Sequence, residues 1–472
     1  MIPVYSLFER IGLGGGGKVR AVIARMNALA EDPAFDPVLL ALEHGPRQRL
    51  NFATLRARGV LHPRVRFESL PDACLPAARA AGVRVEDTAV PFDDKRMQGR
   101  KITYTQAGQT VMTDRIRDSP VGTLTRRSIA CDDGTHLVHL RDGLAEQRLR
   151  RYGDGTVEVT DYAEGLPIRW LKTHEDRFAV ARNLVTGQIC RMPRIFMRNV
   201  FKLVDWTERV VFFDGITSAY LADSAKRRAL FLHADHRGPD GRIVPRSRFL
   251  IENFQGEMIL TSTQVHKRRL EADLTPAAPL RVVPHFCEAA ATAPLPRRDL
   301  VTVSRLDLAG KPIDESIAAF AAIMEAFPQV DYVIYGEGTG RAALERQIAD
   351  LGCGSRIRLA GYTDTPEAVF RGALAAVYPT LTEGFGLAIL EALAAGCPVI
   401  SNDVDYGPRE MIVPGHNGEL VPPGDIPALS DALARVLRAP ERYGAATQDG
   451  LERYGRAAYI ANYAQVVRDL AR

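Results

Sequence analysis

The sequence lacks the features that mark several classes of protein. Its six cysteines among 472 residues are scattered without a C-x-x-C pair or a histidine cluster, so neither a zinc site nor a disulfide framework is indicated. No apolar run reaches the roughly 18 residues that cross a bilayer, and the N-terminus lacks the residue order of a signal peptide. We therefore expect reduced cysteines and a cytoplasmic protein, either free or at the inner face of the membrane.

The chain also lacks a strong excess of charge of one sign. A net charge of +4, with 25% charged and 46% hydrophobic residues, is typical of a soluble globular protein and gives no reason to expect a nucleic-acid partner. Short basic clusters such as Arg126-Arg127 and Lys267 to Arg269 could contact a polyanion locally, although solvated surface is the simpler interpretation. The length predicts two to three domains.

Hydrophobic patterns indicate two α/β regions with a β-rich segment inside the first. Ile2 to Phe8 predicts a strand and Lys18 to Ala30 a helix, which is the opening of a doubly wound sheet. Short alternating stretches separated by turn residues predict an antiparallel insertion over residues 97–192. From Leu300 onwards strand and helix patterns alternate again, and the Pro/Ala-rich stretch from Thr275 to Arg298 is the expected linker.

These patterns predict five segments. They are a Rossmann-like domain (1–96), its β insertion (97–192), the rest of that domain (193–285), a second α/β domain (286–456) and a C-terminal helix that crosses back to the first domain (457–472).

The most informative segment lies between Glu383 and Glu391. A strand pattern precedes it, Gly384 and Gly386 leave the backbone bare, and good helix formers run from Leu387 to Ala395. Free amides and the positive end of the helix dipole favour an anion such as phosphate at this point, while the two carboxylates can accept hydrogen bonds from hydroxyls. Two acceptors around an anion cradle suit a nucleotide-sugar, whereas a solvated helix with a glutamate at each end is the simpler alternative.

The wider context carries a family resemblance. The pattern E-x7-E, followed by Gly396-Cys-Pro-Val-Ile and by Tyr406-Gly-Pro-Arg-Glu410, closely resembles the donor-site signature of retaining family 4 glycosyltransferases. The resemblance implies the GT-B fold, in which two Rossmann-like domains face a cleft. Within the family, the β insertion and Tyr406-Gly-Pro resemble the bacterial subgroup that glycosylates poly(glycerol-phosphate) or Ser-rich surface proteins.

The resemblance also implies roles for named residues. Glu383 would position the sugar and Glu391 the ribose, while Arg305 and Lys311 would hold the nucleotide diphosphate without a metal. Lys311 stands six residues after Arg305, where five is the common spacing in the family. The catalytic set is His233, Glu383, Arg305 and Lys311, and the donor-binding set is Gly15, Gly16, Gly17, Gly336, Tyr362, Thr363, Gly384, Phe385, Gly386, Leu387 and Glu391.

Several motifs invite other interpretations. The run from Gly12 to Gly17-Lys18 fits the phosphate-loop pattern except that Val19 replaces the magnesium-binding hydroxyl. Glu31 and Asp32 lie near the offset of a dinucleotide-binding acid, but they look like a helix end. Asp403-Val-Asp405 matches a D-x-D metal motif, yet it follows the E-x7-E helix, and we interpret residues 403–410 as a loop over the donor pocket.

We therefore predict a retaining hexosyltransferase that needs neither a metal nor a cofactor and uses a UDP-sugar as donor substrate. Glucose or N-acetylglucosamine would pass to a hydroxyl of a cell-wall poly(polyol-phosphate). The alternatives are a Ser/Thr protein O-glycosyltransferase of a surface adhesin and a non-catalytic GT-B partner subunit. His236 is a candidate acceptor contact, and the insertion is a candidate for acceptor capture or for contacts in a homo-oligomer.

Overall fold

A computed structural model describes residues 1–8, 17–44, 46–85, 91–131, 134–175, 177–214, 220–221, 225–238, 240–287 and 296–472, with the side chains of residues 17 and 46 left out. Three β-sheets dominate these residues. The predicted Gly15 and Gly16 lie outside the described residues, and Gly17 is the first residue of the helix Gly17–Glu31.

The first sheet has seven strands. In spatial order they are Leu280–Val282, Met258–Thr261, Arg227–Phe231, Val210–Asp214, Ile2–Phe8, Phe35–Ala41 and Arg66–Ser69. Ile2–Phe8 pairs in parallel with both of its neighbours, so the sheet grows outwards from its first strand in two directions. This is the doubly wound arrangement that the opening strand and helix predict.

The second sheet is an antiparallel meander of ten strands, in which every strand pairs with its neighbours in sequence. The strands are Asp94–Gln98, Lys101–Gln106, Gln109–Ser119, Gly122–Ile129, Gly134–Arg141, Leu144–Tyr152, Thr156–Ala163, Leu166–His174, Arg177–Asn183 and Ile189–Cys190. Tight turns join several of them, and Asp142 and Glu164 have positive φ at such turns, as two-residue hairpins require. The antiparallel sheet expected inside the first α/β region is therefore present.

The third sheet has six parallel strands in the order 3-2-1-4-5-6. They are Ile357–Gly361, Tyr332–Tyr335, Asp299–Val303, Ala373–Tyr378, Val399–Asn402 and Gly418–Val421. Neighbouring residues of the central strand belong to different cores, because Leu300 packs in one apolar cluster and Val301 in the other. Helices therefore cover both faces, and the point where the strand order reverses lies between Asp299–Val303 and Ala373–Tyr378, where open α/β sheets bind ligands.

The helices lie mainly between the parallel strands. They are Gly17–Glu31, Pro46–Ala57, Leu70–Ala73, Leu75–Ala80, Pro193–Phe201, Pro245–Glu252, Gln264–Asp273, Ile313–Ala321, Arg341–Asp350, Pro366–Arg371, Leu387–Ala394, Pro408–Met411, Ile426–Arg438, Pro440–Ala445 and Arg456–Ala471, with 3-10 turns at Met324–Ala326 and Glu452–Tyr454. Among the helices of the described residues, none combines the length and hydropathy that crossing a bilayer requires.

The chain divides into two compact units. One contains residues 1–230, 255–257 and 466–472, and the other contains residues 231–254 and 258–465. In the first unit Arg25 is buried and binds Asp214, 3.1 Å from its Oδ1, and also Ser6. Near its C-terminal end, Arg468 lies 2.9 Å from Asp32.

The predicted elements differ from the structure at short edge strands. The sequence patterns miss Arg66–Ser69 and Gly418–Val421, because short edge strands carry too few residues for a periodic signal. The predicted linker from Thr275 to Arg298 is partly wrong, since Leu280–Val282 pairs in parallel with Met258–Thr261. The loop predicted over residues 403–410 is also partly wrong, because Pro408–Met411 forms a helical turn.

Candidate donor site

The centre of the candidate site is the loop that joins the strand Ala373–Tyr378 to the helix Leu387–Ala394. Gly386 precedes the helix with a φ of 84°, a left-handed conformation that glycine adopts at little cost. No side chain caps this helix start, and the amides of Ile389 and Leu390 donate to the carbonyl of Gly386 at 3.0 and 3.1 Å. The amides before Ile389 are the ones that a ligand could use. The helix predicted from Leu387 is present, and it ends one residue earlier than expected, before Ala395.

Lys311 and Glu383 form an ion pair at this loop. The ammonium of Lys311 also donates to the hydroxyl oxygen of the buried Thr380 at 3.2 Å. The two charged side chains are 21% and 15% exposed, which is enough for a ligand to reach them. The longer spacing before Lys311 does not prevent this contact.

The backbone explains how Lys311 reaches the loop. It follows the strand Asp299–Val303 by a turn in which the amides of Gly310 and Lys311 both donate to the carbonyl of Asp307, at 3.3 and 2.9 Å. The amide of Leu381 then donates to the carbonyl of Gly310 at 3.1 Å. The extra residue is therefore taken up by the turn, and Lys311 is fixed directly beside the Glu383 loop.

Arg305 lies at the start of the same turn. Its side chain is exposed, and within the described parts of the chain it has no ion-pair partner. Behind it, a Cβ atom on Gly336 would lie 1.8 Å from the carbonyl oxygen of Ser304, so only glycine allows these two loops to pack this closely. Arg305 is thus an exposed cation at the carboxyl edge of the sheet, on a loop whose backbone packs closely against Gly336.

Gly336 directly follows the strand Tyr332–Tyr335, and Gly361 is the last residue of the neighbouring strand. The amide of Gly336 donates to the carbonyl of Gly361 at 2.7 Å, which joins the two strand-end loops. Tyr362 is 75% exposed and Thr363 lies next to it, with its hydroxyl 3.5 Å from that of Thr365. A large aromatic ring left in solvent beside a cation-bearing loop is available for stacking on a planar ligand.

Gly384 packs against the backbone of His233. A Cβ atom on Gly384 would lie 2.1 Å from the carbonyl oxygen of His233, and the hydroxyl of Ser262 donates to the carbonyl of Gly384 at 2.7 Å. The predicted histidine follows the strand Arg227–Phe231 by two residues and is half-buried. The structure therefore brings the predicted residues His233, Glu383 and Gly384 to one place.

Aromatic and electrostatic contacts surround this loop. The ring of Phe385 is buried and packs edge-on against His285 at 5.0 Å, and His285 stacks with His233 at 6.2 Å. Burial, and then the charge of Glu391, raise the pKa of Tyr378 well above its usual range, and Glu383 adds to this effect. The negative charges of both glutamates therefore affect Tyr378, the last residue of the strand that precedes the loop.

One predicted residue, His236, and both aspartates of the rejected D-x-D motif have other partners. His236 is buried, and its Nε2 lies 2.7 Å from Asp273, so the expectation that it touches an acceptor does not fit its position. In the D-x-D motif, Asp403 and Asp405 each bind Arg409 at 2.6 Å, so an arginine takes the place that a cation would need.

Sequence reasoning missed several residues of the site. Thr380, Ser262 and His285 contact Lys311, Gly384 and Phe385 respectively. No local motif marks them, and only the position of Thr380, two residues after a buried strand, could have drawn attention to it. Gly407, whose Cβ would lie 1.9 Å from the carbonyl oxygen of Phe385, is part of the quoted Tyr406-Gly-Pro run but was not assigned a role.

Comparisons with known proteins identify a family that matches part of the chain. Residues 289–453 match the family described as glycosyl transferases group 1. Over 167 residues the chain is 30% identical to the poly(glycerol-phosphate) alpha-glucosyltransferase of Bacillus subtilis, which covers 35% of this chain and 25% of that protein. The chain spans 24% to 48% of the length of the first curated relatives that it matches.

Two solved structures resemble the chain over nearly its whole length. S. aureus TarM in complex with fondaparinux, alpha-GlcNAc-glycerol and UDP is 15% identical, with a TM-score of 0.76 and coverage of 99% of this chain and 100% of that one. The pneumococcal O-GlcNAc transferase GtfA in complex with UDP and GlcNAc is 17% identical, with a TM-score of 0.69 and 99% coverage of both chains. Residues 289–453 therefore match the group 1 glycosyl transferase family, and the chain as a whole has the GT-B fold.

Proposed function

We propose that the protein is a retaining hexosyltransferase that moves glucose or N-acetylglucosamine from a UDP-sugar to a hydroxyl group. The observation that carries this proposal is the Lys311–Glu383 ion pair in front of the uncapped helix Leu387–Ala394. It combines a cation and free amides for a diphosphate with a carboxylate for sugar hydroxyls. The structures of TarM and GtfA in complex with UDP support the same donor.

The residues divide the donor between them in this proposal. Lys311 and Arg305 neutralise the charge that grows on the departing diphosphate, which is the main electrostatic task of the reaction. Glu383, held by Lys311, accepts hydrogen bonds from the sugar, and Glu391 accepts them from the ribose. The leaving phosphate itself takes the proton of the acceptor hydroxyl on the same face, so that the anomeric configuration is retained.

For the acceptor we propose a polyanionic glycopolymer of the poly(polyol-phosphate) type. The ten-stranded sheet carries a row of cations, because Lys101 lies opposite Arg115 and Arg115 lies opposite Arg126. All three are exposed, and none has an ion pair within the part of the chain that the structure describes. Like charges directly opposite each other destabilise a sheet, so such a row favours an external polyanion that neutralises it.

The row extends towards a histidine. His139 lies opposite Arg126, and burial together with the charge of Arg126 lowers the pKa of His139. By contrast, the neighbouring Arg127 binds Asp114 at 2.8 Å and belongs to the sheet itself. The two adjacent arginines therefore have different roles, and Arg126 rather than Arg127 joins Lys101 and Arg115 in the cation row. With such an acceptor we place the protein in the cytoplasm, at the inner face of the membrane.

A donor panel tests the proposed function. Purified protein is incubated with UDP-glucose, UDP-N-acetylglucosamine and other UDP-sugars, with a poly(glycerol-phosphate) or a Ser-rich peptide as acceptor, and products are identified by mass. We expect hexose addition from one UDP-sugar, abolished in Glu383→Ala and Lys311→Ala and retained in Arg346→Ala, an exposed arginine on the helix Arg341–Asp350. Equal release of UDP by the wild type and both site variants would refute the catalytic assignment.

The same panel separates the candidate acceptors. Hexose on the polymer alone supports the polyanion, while hexose on the peptide alone supports the protein O-glycosyltransferase. Absence of transfer together with tight UDP-sugar binding would instead identify a non-catalytic partner subunit.

A further inference from the structure

Two buried histidines outside the donor site lie in an unusual environment. The rings of His236 and His266 are nearly parallel, with centroids 5.6 Å apart and planes 11° apart. His266 is fully buried, and neither of its ring nitrogens has a hydrogen-bond partner among the described residues. Buried polar atoms are nearly always satisfied in folded proteins, so a ligand for these nitrogens is expected.

The neighbours of His236 prepare it to bind a cation. Its Nε2 donates to Asp273 at 2.7 Å, and Asp273 is itself held by two bonds from Arg237, at 2.7 and 2.5 Å. A proton on Nε2 leaves a lone pair on Nδ1, which is buried without a hydrogen bond. A carboxylate behind the far nitrogen of a histidine is the usual support of a metal-binding imidazole.

A carboxylate completes the group. Oδ1 of Asp235 lies 3.2 Å from Nδ1 of His236, out of line for a hydrogen bond. Asp235 also accepts a hydrogen bond from the hydroxyl of Tyr406. One ligand atom from each of Asp235, His236 and His266 lies within 4.8 Å of the others.

We propose that Asp235, His236 and His266 bind one divalent metal ion of the zinc class. Two imidazole nitrogens and a carboxylate oxygen are ligands that zinc prefers, with a water or the second carboxylate oxygen at the fourth position. Tetrahedral zinc holds such atoms about 3.4 Å apart, so the observed spacing closes with side-chain movements of roughly 1 Å. The ion would have a structural role and would take no part in the transfer reaction proposed above.

The ion would join two segments of the same compact unit. Asp235 and His236 lie in the loop after the strand Arg227–Phe231, and His266 lies in the first turn of the helix Gln264–Asp273. The same loop carries His233, whose carbonyl packs against Gly384. Metal binding therefore fixes the backbone on which the donor loop rests.

Metal analysis of the full chain, carrying a tag free of histidine, tests the proposal. We expect about one zinc per chain by mass spectrometry, and saturable binding of one Zn²⁺ with a rise in Tm after depletion by a chelator. Cobalt bound in place of zinc should show the visible absorption bands of Co²⁺ that is coordinated by imidazole and carboxylate ligands. His266→Gln should reduce bound metal at least about tenfold, whereas His416→Gln, at an exposed histidine paired with Asp449, should retain it.

The outcomes are distinct. Equal metal content in the wild type and His266→Gln, or no saturable binding and no change in Tm for the depleted wild-type protein, would overturn the proposal. Removing the metal from the wild-type protein and adding Zn²⁺ again tests the proposal even if a variant fails to fold. Glu383→Gln should keep the metal while losing turnover, which separates this site from the proposed function.

Discussion

The main-chain carbonyl oxygen of His233 lies 2.1 Å from the position that a Cβ atom on Gly384 would occupy. A histidine predicted beside the sugar and a glycine predicted to lend its backbone to the donor are thus in direct contact. The glycine is needed for close approach, because its own φ is not in the left-handed region. Any side chain at residue 384 must displace one of the two backbones.

The contact predicts the effect of Gly384→Ala. We expect a loss of stability of about 1–3 kcal/mol, typical of overpacking, together with a marked loss of UDP-sugar turnover. Gly354→Ala is the matched control, since its Cβ would meet only Ile348, at 3.8 Å. Thermal unfolding and UDP release measure the two effects. Wild-type behaviour of Gly384→Ala would show that the loops do not pack this closely.

A double-mutant cycle examines Lys311 and Glu383. Each of Lys311→Ala and Glu383→Gln should lower kcat by roughly 10²–10³, because each removes a charge that orients or stabilises the donor. The double variant should lose much less than the product of the two losses, since the side chains act as one ion pair. Steady-state kinetics with saturating UDP-sugar provide the values. Strict additivity would contradict a shared role.

The D-x-D motif, Asp403 and Asp405, should not bind a catalytic metal ion. Asp403→Asn and Asp405→Asn remove partners of Arg409 in pairs that are 26% to 43% exposed, so each should cost no more than about 1 kcal/mol. We expect turnover to stay within about threefold of the wild type and not to depend on added Mg²⁺ or Mn²⁺. Rates measured with and without these ions decide the point. Activation by Mn²⁺ that disappears in Asp403→Asn would contradict this prediction.

The cation row on the ten-stranded sheet should govern polyanion binding. Replacing Lys101, Arg115 and Arg126 together by glutamine should weaken binding of poly(glycerol-phosphate) and flatten its dependence on salt, since fewer counterions are released. Arg127→Gln, which breaks the internal pair with Asp114, should lower stability more than binding. Titrations at several salt concentrations, with melting curves, separate the two. Unchanged affinity in the triple variant would exclude the row as the acceptor surface.

Cysteine reactivity provides a test of burial that is independent of function. Burial raises the pKa of Cys74 and of Cys397 to about 12, so both remain protonated thiols as the pH rises from about 7 to about 9. Cys131 is exposed and should react first with a thiol reagent. Time courses analysed by peptide mass should show Cys131 labelled while Cys74 and Cys397 are spared, and unfolding should make all of them reactive. Rapid labelling of Cys397 in the native protein would refute this packing.

The sequence was sufficient for long or strongly patterned elements. Ile2–Phe8, Val210–Asp214 and the helix from Leu387 have the predicted positions because their apolar periodicity and glycine boundaries are local properties. Edge strands such as Gly418–Val421 could not be predicted in this way. Four residues give little periodic signal, and their pairing partner is distant in the chain.

For the candidate site, the sequence by itself determined which residue types are available near the predicted helix start. Glu383, Glu391 and the glycines between them were recognisable because a strand end, a helix start and charges are visible in neighbouring residues, whereas the role of Arg305 came from the family resemblance. The spacing of Lys311 left its geometry open, and the turn closed on Asp307 decided it.

Only the tertiary structure decided which distant residues meet. The ion pair of Lys311 with Glu383 and the contact of His233 with Gly384 join segments about 70 and 150 residues apart. Likewise, the sequence shows no histidine cluster, yet folding places His266 beside His236. The physical reason is that packing in three dimensions selects these partners by shape and burial, and a pattern confined to neighbouring residues carries no record of that selection.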